Sequence, residues 1–138
     1  MTRSVEMGQE LPEQRRVVTR EDVHAYAEAG GDRNPLHLDD EVARAAGFDG
    51  VIAHGMFTMA HMAACVERWS GRGAFVERIS AQFRAPVSMG DELVAGGRVR
   101  SVDGDRVTLE LWVRILERDD SAAEEWPIKR GEAVVRLP

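Results

Sequence analysis

The period of the hydrophobic pattern changes once along this chain, and that change constrains the fold more than any other feature. Residues 55–69, GMFTMAHMAACVERW, are apolar on nearly every side and poor in β-branched types, as in a helix wrapped by other structure. After SGRG the pattern turns to alternation. In RVTLELWVRI, Val107, Leu109, Leu111, Val113 and Ile115 fall on one face of a strand; in FVERISAQF, Phe75, Ile79, Ala81 and Phe83 do so, with Glu77 the exception. ELVAGGRVRSV reads as a weaker strand with a bulge or bend at Gly96–Gly97, and VDGDR as an Asp-Gly hairpin turn. EAVVRL reads as the last strand, after a polar loop DDSAAEEWP.

Upstream, the signals predict a first strand near Arg15–Val18 and an amphipathic helix over Thr19–Ala29. Thr19 caps that helix with Asp22 at the reciprocal capping-box position, and Gly30 and Gly31 stop it. A shorter helix is expected over Asp39–Ala46, ended by Gly47. Helices, one central buried helix and a run of antiparallel strands make an α+β plan in which a single sheet wraps the helix. One layer of sheet leaves a helix face or a sheet edge in need of cover, so an oligomer is expected.

A chain of 138 residues is read as one domain, 1–138, long enough to bury a core without disulfide or metal staples. Its net charge of −6, with 18 basic residues scattered among 24 acids, speaks against a nucleic-acid partner. Cys65 is the single cysteine, so neither an intramolecular disulfide nor a cysteine-based zinc site can form, and a reducing, cytoplasmic setting is expected. MTRSVEMGQELPEQ lacks the apolar core of a signal peptide. The most apolar stretch, Val51 to Trp69, is interrupted by His54, His61, Glu67 and Arg68, which suits a buried helix and not a membrane span.

The candidate chemistry lies in GDRNPLHLDD, residues 31–40. On an α-helix Asp32 and His37 would stand about 140° apart. Pro35 removes a backbone donor and pushes Asn34 out of the helical region, so the pair lies on a loop that can fold both side chains toward one volume. Asp and His together offer proton transfer near neutral pH, with Asn34 as a neutral hydrogen-bonding partner. The motif holds no Ser or Cys nucleophile, which favours water as nucleophile or leaving group. In AHGM, His54 and Gly55 precede the central helix, whose free N–H groups suit a developing oxyanion. Met56, Met59 and Met62 read as core or as the lining of an acyl tunnel, and His54 and His61, without a third ligand, as packing or interface residues; no metal site is expected. A plainer reading stands beside these: Asp, Asn, Pro and Gly are common turn residues, and Asp32 or Asn34 can simply cap backbone donors.

The long segment GDRNPLHLDDEVARAAGFDGVIAHGM resembles the signature of the MaoC-like dehydratases, the R-specific enoyl-CoA hydratases of the hot-dog fold. VEMGQELPE, FRAPVSMGDEL and GEAVVRL resemble further parts of that family, and within it the likeness is greatest to the B subunit of actinobacterial R-3-hydroxyacyl-ACP dehydratases. The resemblance implies a long helix wrapped by a curved antiparallel sheet, in dimers that make two sheets continuous. It implies Asp32 and His37 as catalytic residues, Gly55 N–H as holder of the thioester oxygen, and Asn34, His54 and Met56 as substrate-binding. The implied reaction is reversible addition of water to a trans-2-enoyl thioester, giving the R-3-hydroxyacyl thioester. No cofactor is implied beyond CoA or phosphopantetheine as the substrate's carrier, on an acyl-CoA or acyl-ACP substrate, and a homodimer or a heterodimer with a related subunit is expected. The alternatives are a hot-dog acyl thioesterase, for which Glu67 is the one helix carboxylate, an acyl-binding partner subunit of a heteromeric dehydratase, and a structural or sensing domain.

Overall fold

The computed structural model describes residues 4–116 and 125–138. Five strands form one antiparallel sheet: β1 (Gln14–Val17), β2 (Phe75–Ser80), β3 (Glu92–Asp103), β4 (Arg106–Ile115) and β5 (Glu125–Arg136), in the order β1-β3-β4-β5-β2. Three helices, α1 (Arg20–Gly30), α2 (Asp40–Ala45) and α3 (Gly55–Ser70), lie between β1 and β2 in sequence. The chain therefore leaves one edge of the sheet and re-enters at the other, with α3 crossing between and packing on the middle strands β3, β4 and β5.

Local chemistry accounts for most boundaries. Thr19 Oγ1 accepts from Asp22 N at 3.1 Å while Asp22 reaches back to Thr19 N, the expected capping box, and Gly31 closes α1 at φ 75°. Asp39 Oδ1 caps α2 by accepting from Glu41 N and Val42 N. In β4 all five alternating residues from Val107 to Ile115 are buried, and they meet Phe57, Met62, Cys65, Val66 and Trp69 of α3 in one core. The hairpin at Asp103–Arg106 has Gly104 at φ 61° and no positive φ at Asp105, the signature of a II′ turn.

Three sequence expectations need correction. β2 stops at Ser80, and Phe75 is exposed, whereas Val76 and Ile79 pack toward the core. The register shifts between Val76 and Arg78, so a bulge at Glu77 turns the inward face from one parity to the other. The bulge of β3 lies between Val99 and Ser101 and not at Gly96–Gly97, which pair regularly with Trp112 and Leu111. Those glycines permit close approach: a Cβ on Gly96 would meet Trp112 Nε1 at 2.8 Å, and one on Gly97 the Glu110 carbonyl oxygen at 2.5 Å. Finally, β5 begins at Glu125 and not at Glu132, so Glu125, Trp126 and Pro127 of the expected loop are strand; its residues 119–124 lie outside the described ones. Pro127 is accommodated where the β4–β5 ladder is irregular, and its carbonyl accepts from Arg84 N at 2.8 Å.

The arginines of the outer sheet face are laced to acids across strands: Arg98 to Glu110, Arg100 to Glu132, Arg106 and Arg136 to Glu77, Arg114 to Glu13. Such exposed pairs add little stability, but they neutralise the face.

His61 on α3 faces the first strand, where Nε2 donates to the Gln14 carbonyl at 3.0 Å. Burial holds its imidazole below the ordinary value of 6.5, with Arg16 and Arg68 nearby pushing the same way. The unfolded chain therefore takes up this proton first, so stability present above pH 6.5 is lost as pH falls through the folded value. Melting temperatures measured between pH 7.5 and 5 are expected to fall with acid in the native protein and to fall less in His61→Gln, which retains an N–H donor. Equal slopes would contradict this.

Candidate active site

Two segments build the site. The first is the loop after α1: Gly31 in its left-handed conformation turns the chain out of the helix, and Pro35–His37 forms a single 3₁₀ turn. Asn34 caps that turn, its Oδ1 accepting from Leu36 N at 3.0 Å, while Asp32 Oδ1 accepts from Asn34 N at 3.3 Å. Capping by Asp32 and Asn34 is thus observed, as the plainer reading holds, and the capped loop is also what delivers His37 to its place. The second segment is the extended run Val51–His54 that leads into α3.

These segments meet through histidines. His37 Nδ1 lies 2.7 Å from the Ile52 carbonyl oxygen; since that partner only accepts, Nδ1 carries the hydrogen and Nε2 of neutral His37 keeps a free lone pair. His54 Nε2 lies 2.8 Å from the Asp32 carbonyl oxygen and donates to it by the same reasoning. The two rings stack, with centroids 3.9 Å apart and planes inclined by 27°. Polar side-chain atoms of Asp32, His37 and His54 all lie within 4.8 Å of one another, a spacing that one water can bridge. A shared metal ion would have to sit in both ring planes about 2 Å from each nitrogen. Stacked, nearly parallel rings do not offer such a point.

The remaining expected site residues are distributed around this core. Gly55 is the first residue of α3, where helix geometry leaves its N–H without an intrahelical acceptor, and His54 provides no side-chain cap there. Met56, the second residue of α3, is 54% exposed. His54, expected to touch substrate, is only 2% exposed and directs Nε2 at the loop backbone. Met62 is fully buried in the core, and His61 bonds toward β1, away from the pair.

Three contributors were not legible. Ile52 acts through its carbonyl, for which a side chain gives no signal. Tyr26, the single tyrosine, stands on the inner face of α1 with its ring 4.9 Å from that of His54 and edge-on to Phe57 at 5.9 Å. Phe83, expected inside the sheet, is 50% exposed and lies over the start of α3, so that a Cβ on Gly55 would come within 3.3 Å of its ring. Glycine at 55 therefore keeps room between the helix end and an aromatic face.

Comparison with known proteins places this geometry among relatives. Residues 4–114 match the family described as MaoC like domain. The chain is 33% identical over 136 residues to an (R)-specific enoyl-CoA hydratase of Aeromonas caviae, covering 98% of this chain and 97% of that protein. It is 33% identical over 123 residues to a mitochondrial 3-hydroxyacyl-[acyl-carrier-protein] dehydratase of Arabidopsis thaliana, covering 89% and 72%. Among solved structures, the (R)-hydratase from A. caviae involved in PHA biosynthesis superposes with a TM-score of 0.86 at 29% identity, over 99% of this chain and 100% of the other.

Proposed function

The chain belongs to the MaoC-like domain family, with the hot-dog fold, and from that membership we infer that it is a hydro-lyase acting on enoyl thioesters, adding water to the double bond and removing it in reverse. The observation that carries this reading to particular residues is the convergence of Asp32 and His37 beside the N-terminus of α3.

The proposed mechanism follows from the hydrogen bonds. Water sits between the Asp32 carboxylate and His37 Nε2, the nitrogen left with its lone pair by the bond to Ile52. As the water oxygen attacks C3 of a trans-2-enoyl thioester, the pair accepts its proton. Electron density passes to the thioester oxygen, which the Gly55 N–H stabilises, and a proton returned to C2 completes the R-3-hydroxyacyl product. Atoms balance as one water added across C2=C3, and no electrons are gained or lost. The reaction itself thus calls for no redox group, and CoA or phosphopantetheine serves only as the carrier of the acyl chain. Because the two groups share the water, their proton inventory belongs to the pair.

Thioester hydrolysis is the weaker reading. Its one candidate carboxylate, Glu67, lies twelve residues along α3 from Gly55, roughly 18 Å at helical rise. Among the described residues no helix is long and apolar enough to cross a membrane. The single cysteine, Cys65, is buried and free, which supports our reading of a reducing, cytoplasmic setting. β2, an edge strand with Phe75 exposed, suits a second hot-dog subunit that extends the sheet, either another copy or a related chain. The test is to follow enoyl absorbance and free thiol together with trans-2-enoyl-CoA and with the same acyl group on a carrier protein. Loss of absorbance without thiol is expected; thiol release at the same rate would make the protein a thioesterase.

A further inference from the structure

We propose that His54 is a positioning residue that holds Asp32, His37 and the α3 amide in register without touching substrate itself. The inference rests on the hydration reading and assigns this side chain a part that general acid–base chemistry does not.

The ring is almost fully enclosed, so it stands behind the site and not at its mouth. Its bond to the Asp32 carbonyl spans 22 residues of sequence and pins the backbone of the carboxylate's own residue. Nδ1 is buried and has no hydrogen-bond partner, so that bond is the ring's single polar contact among the described residues. One ring face packs against His37, whose other restraint is the carbonyl of Ile52, two residues before His54. The result is a closed circuit: Asp32 backbone to His54 ring, His54 ring to His37 ring, His37 to Ile52, and Ile52 along the chain back to His54. Tyr26 backs the ring from α1 and is itself wedged against Phe57 of α3.

The circuit also reaches the helix end. The His54 carbonyl, which any residue there would supply, accepts from Phe57 N at 3.0 Å and Thr58 N at 3.3 Å and opens the first turn of α3, so the ring's own bond to the loop is anchored on the residue beside the Gly55 N–H. A single residue thereby ties the loop, the base and the oxyanion donor to one rigid body. Displacement of reacting groups by about 1 Å costs on the order of 10²-fold in rate, so holding geometry of this kind has a measurable value.

Two substitutions in the full chain separate its parts. His54→Phe retains a stacked ring and removes the donor to Asp32; His54→Gln retains an N–H donor at similar reach and removes the imidazole. With a trans-2-enoyl-CoA, His54→Phe is expected to lose on the order of 10²-fold in kcat with KM within about twofold, and His54→Gln to recover about tenfold of that loss. Amide resonances of residues 31–34 and the His37 ring nitrogens, read by NMR, should shift in His54→Phe at an unchanged melting temperature. Native kcat in both variants would overturn the proposal, and a rise in KM at native kcat would make His54 a substrate-binding residue instead. If the native protein fails to hydrate, the functional reading fails, and the resonances still decide: Asp32-loop and His37 signals unmoved in His54→Phe would refute the circuit. Should His54→Phe not fold, His54→Gln carries the test, and its native kcat with unmoved His37 resonances would refute it equally.

Discussion

Asp32→Asn and His37→Ala each lower kcat for enoyl-thioester hydration by at least about 10²–10⁴-fold, the span expected when a positioned acid–base group is removed. Asp32 is exposed and Asn can still accept from Asn34 N, so the loop and the melting temperature are retained in the first variant. His37→Ala loses the bond to Ile52 and the stacked face on His54, and some stability goes with the activity. Because both residues handle one water, the double variant is expected to be hardly slower than the worse single one; steady-state rates on all three, with circular dichroism to check folding, give the comparison. Full additivity of the two losses would mean that the residues act in separate steps.

Gly97→Ala destabilises the protein by about 1–3 kcal/mol, seen as a lower denaturant midpoint at unchanged slope and a melting temperature roughly 3–10 °C lower. The cause lies in β3, where the added carbon would meet the Glu110 carbonyl oxygen at 2.5 Å and Leu111 Cδ2 at 2.7 Å. A backbone oxygen held in a sheet ladder cannot step aside, so the strands must separate. Gly131→Ala offers the contrast: its nearest obstacle is Met62 Sδ at 2.7 Å, the pliable thioether of α3. A smaller loss is expected there, and the reverse order would show that the core yields less readily than the ladder.

These two sites mark how far the sequence carries. The alternation of Val107 to Ile115 is legible because every inward residue of β4 faces one continuous core. Parity failed in β2, since a bulge at Glu77 is a decision of the ladder and leaves no mark in FVERIS beyond one misplaced acid. Gly96–Gly97 shows the same limit: glycine in a strand signals either a bulge or close packing, and only the positions of Trp112 and Glu110 choose between them. The first half of β5 was hidden because the run ending in Pro127 reads as a polar loop, although the Pro127 carbonyl is engaged at an irregular stretch of ladder.

In the site, residue types were legible and partners were not. Asp32, Asn34, Pro35 and His37 announce a loop with proton-transfer groups, and the likeness of the longer segment to a known family sharpened that to a reaction. What orients the pair is backbone: the carbonyls of Ile52 and Asp32, which any sequence supplies everywhere. His54 shows the consequence: the residues alone indicate a packing histidine, the family likeness implies a substrate contact, and its ring is turned inward to the loop.

The most direct measurement is NMR of the product formed from crotonyl-CoA, or crotonyl-carrier protein, in D2O by the native protein and by Asp32→Asn. Hydration by the proposed pair predicts an R-hydroxyl at C3 and one deuterium at C2 in the native reaction, with no product over the same time from Asp32→Asn. Unchanged enoyl thioester on both carriers, free thiol in its place, or equal product from Asp32→Asn would contradict the account.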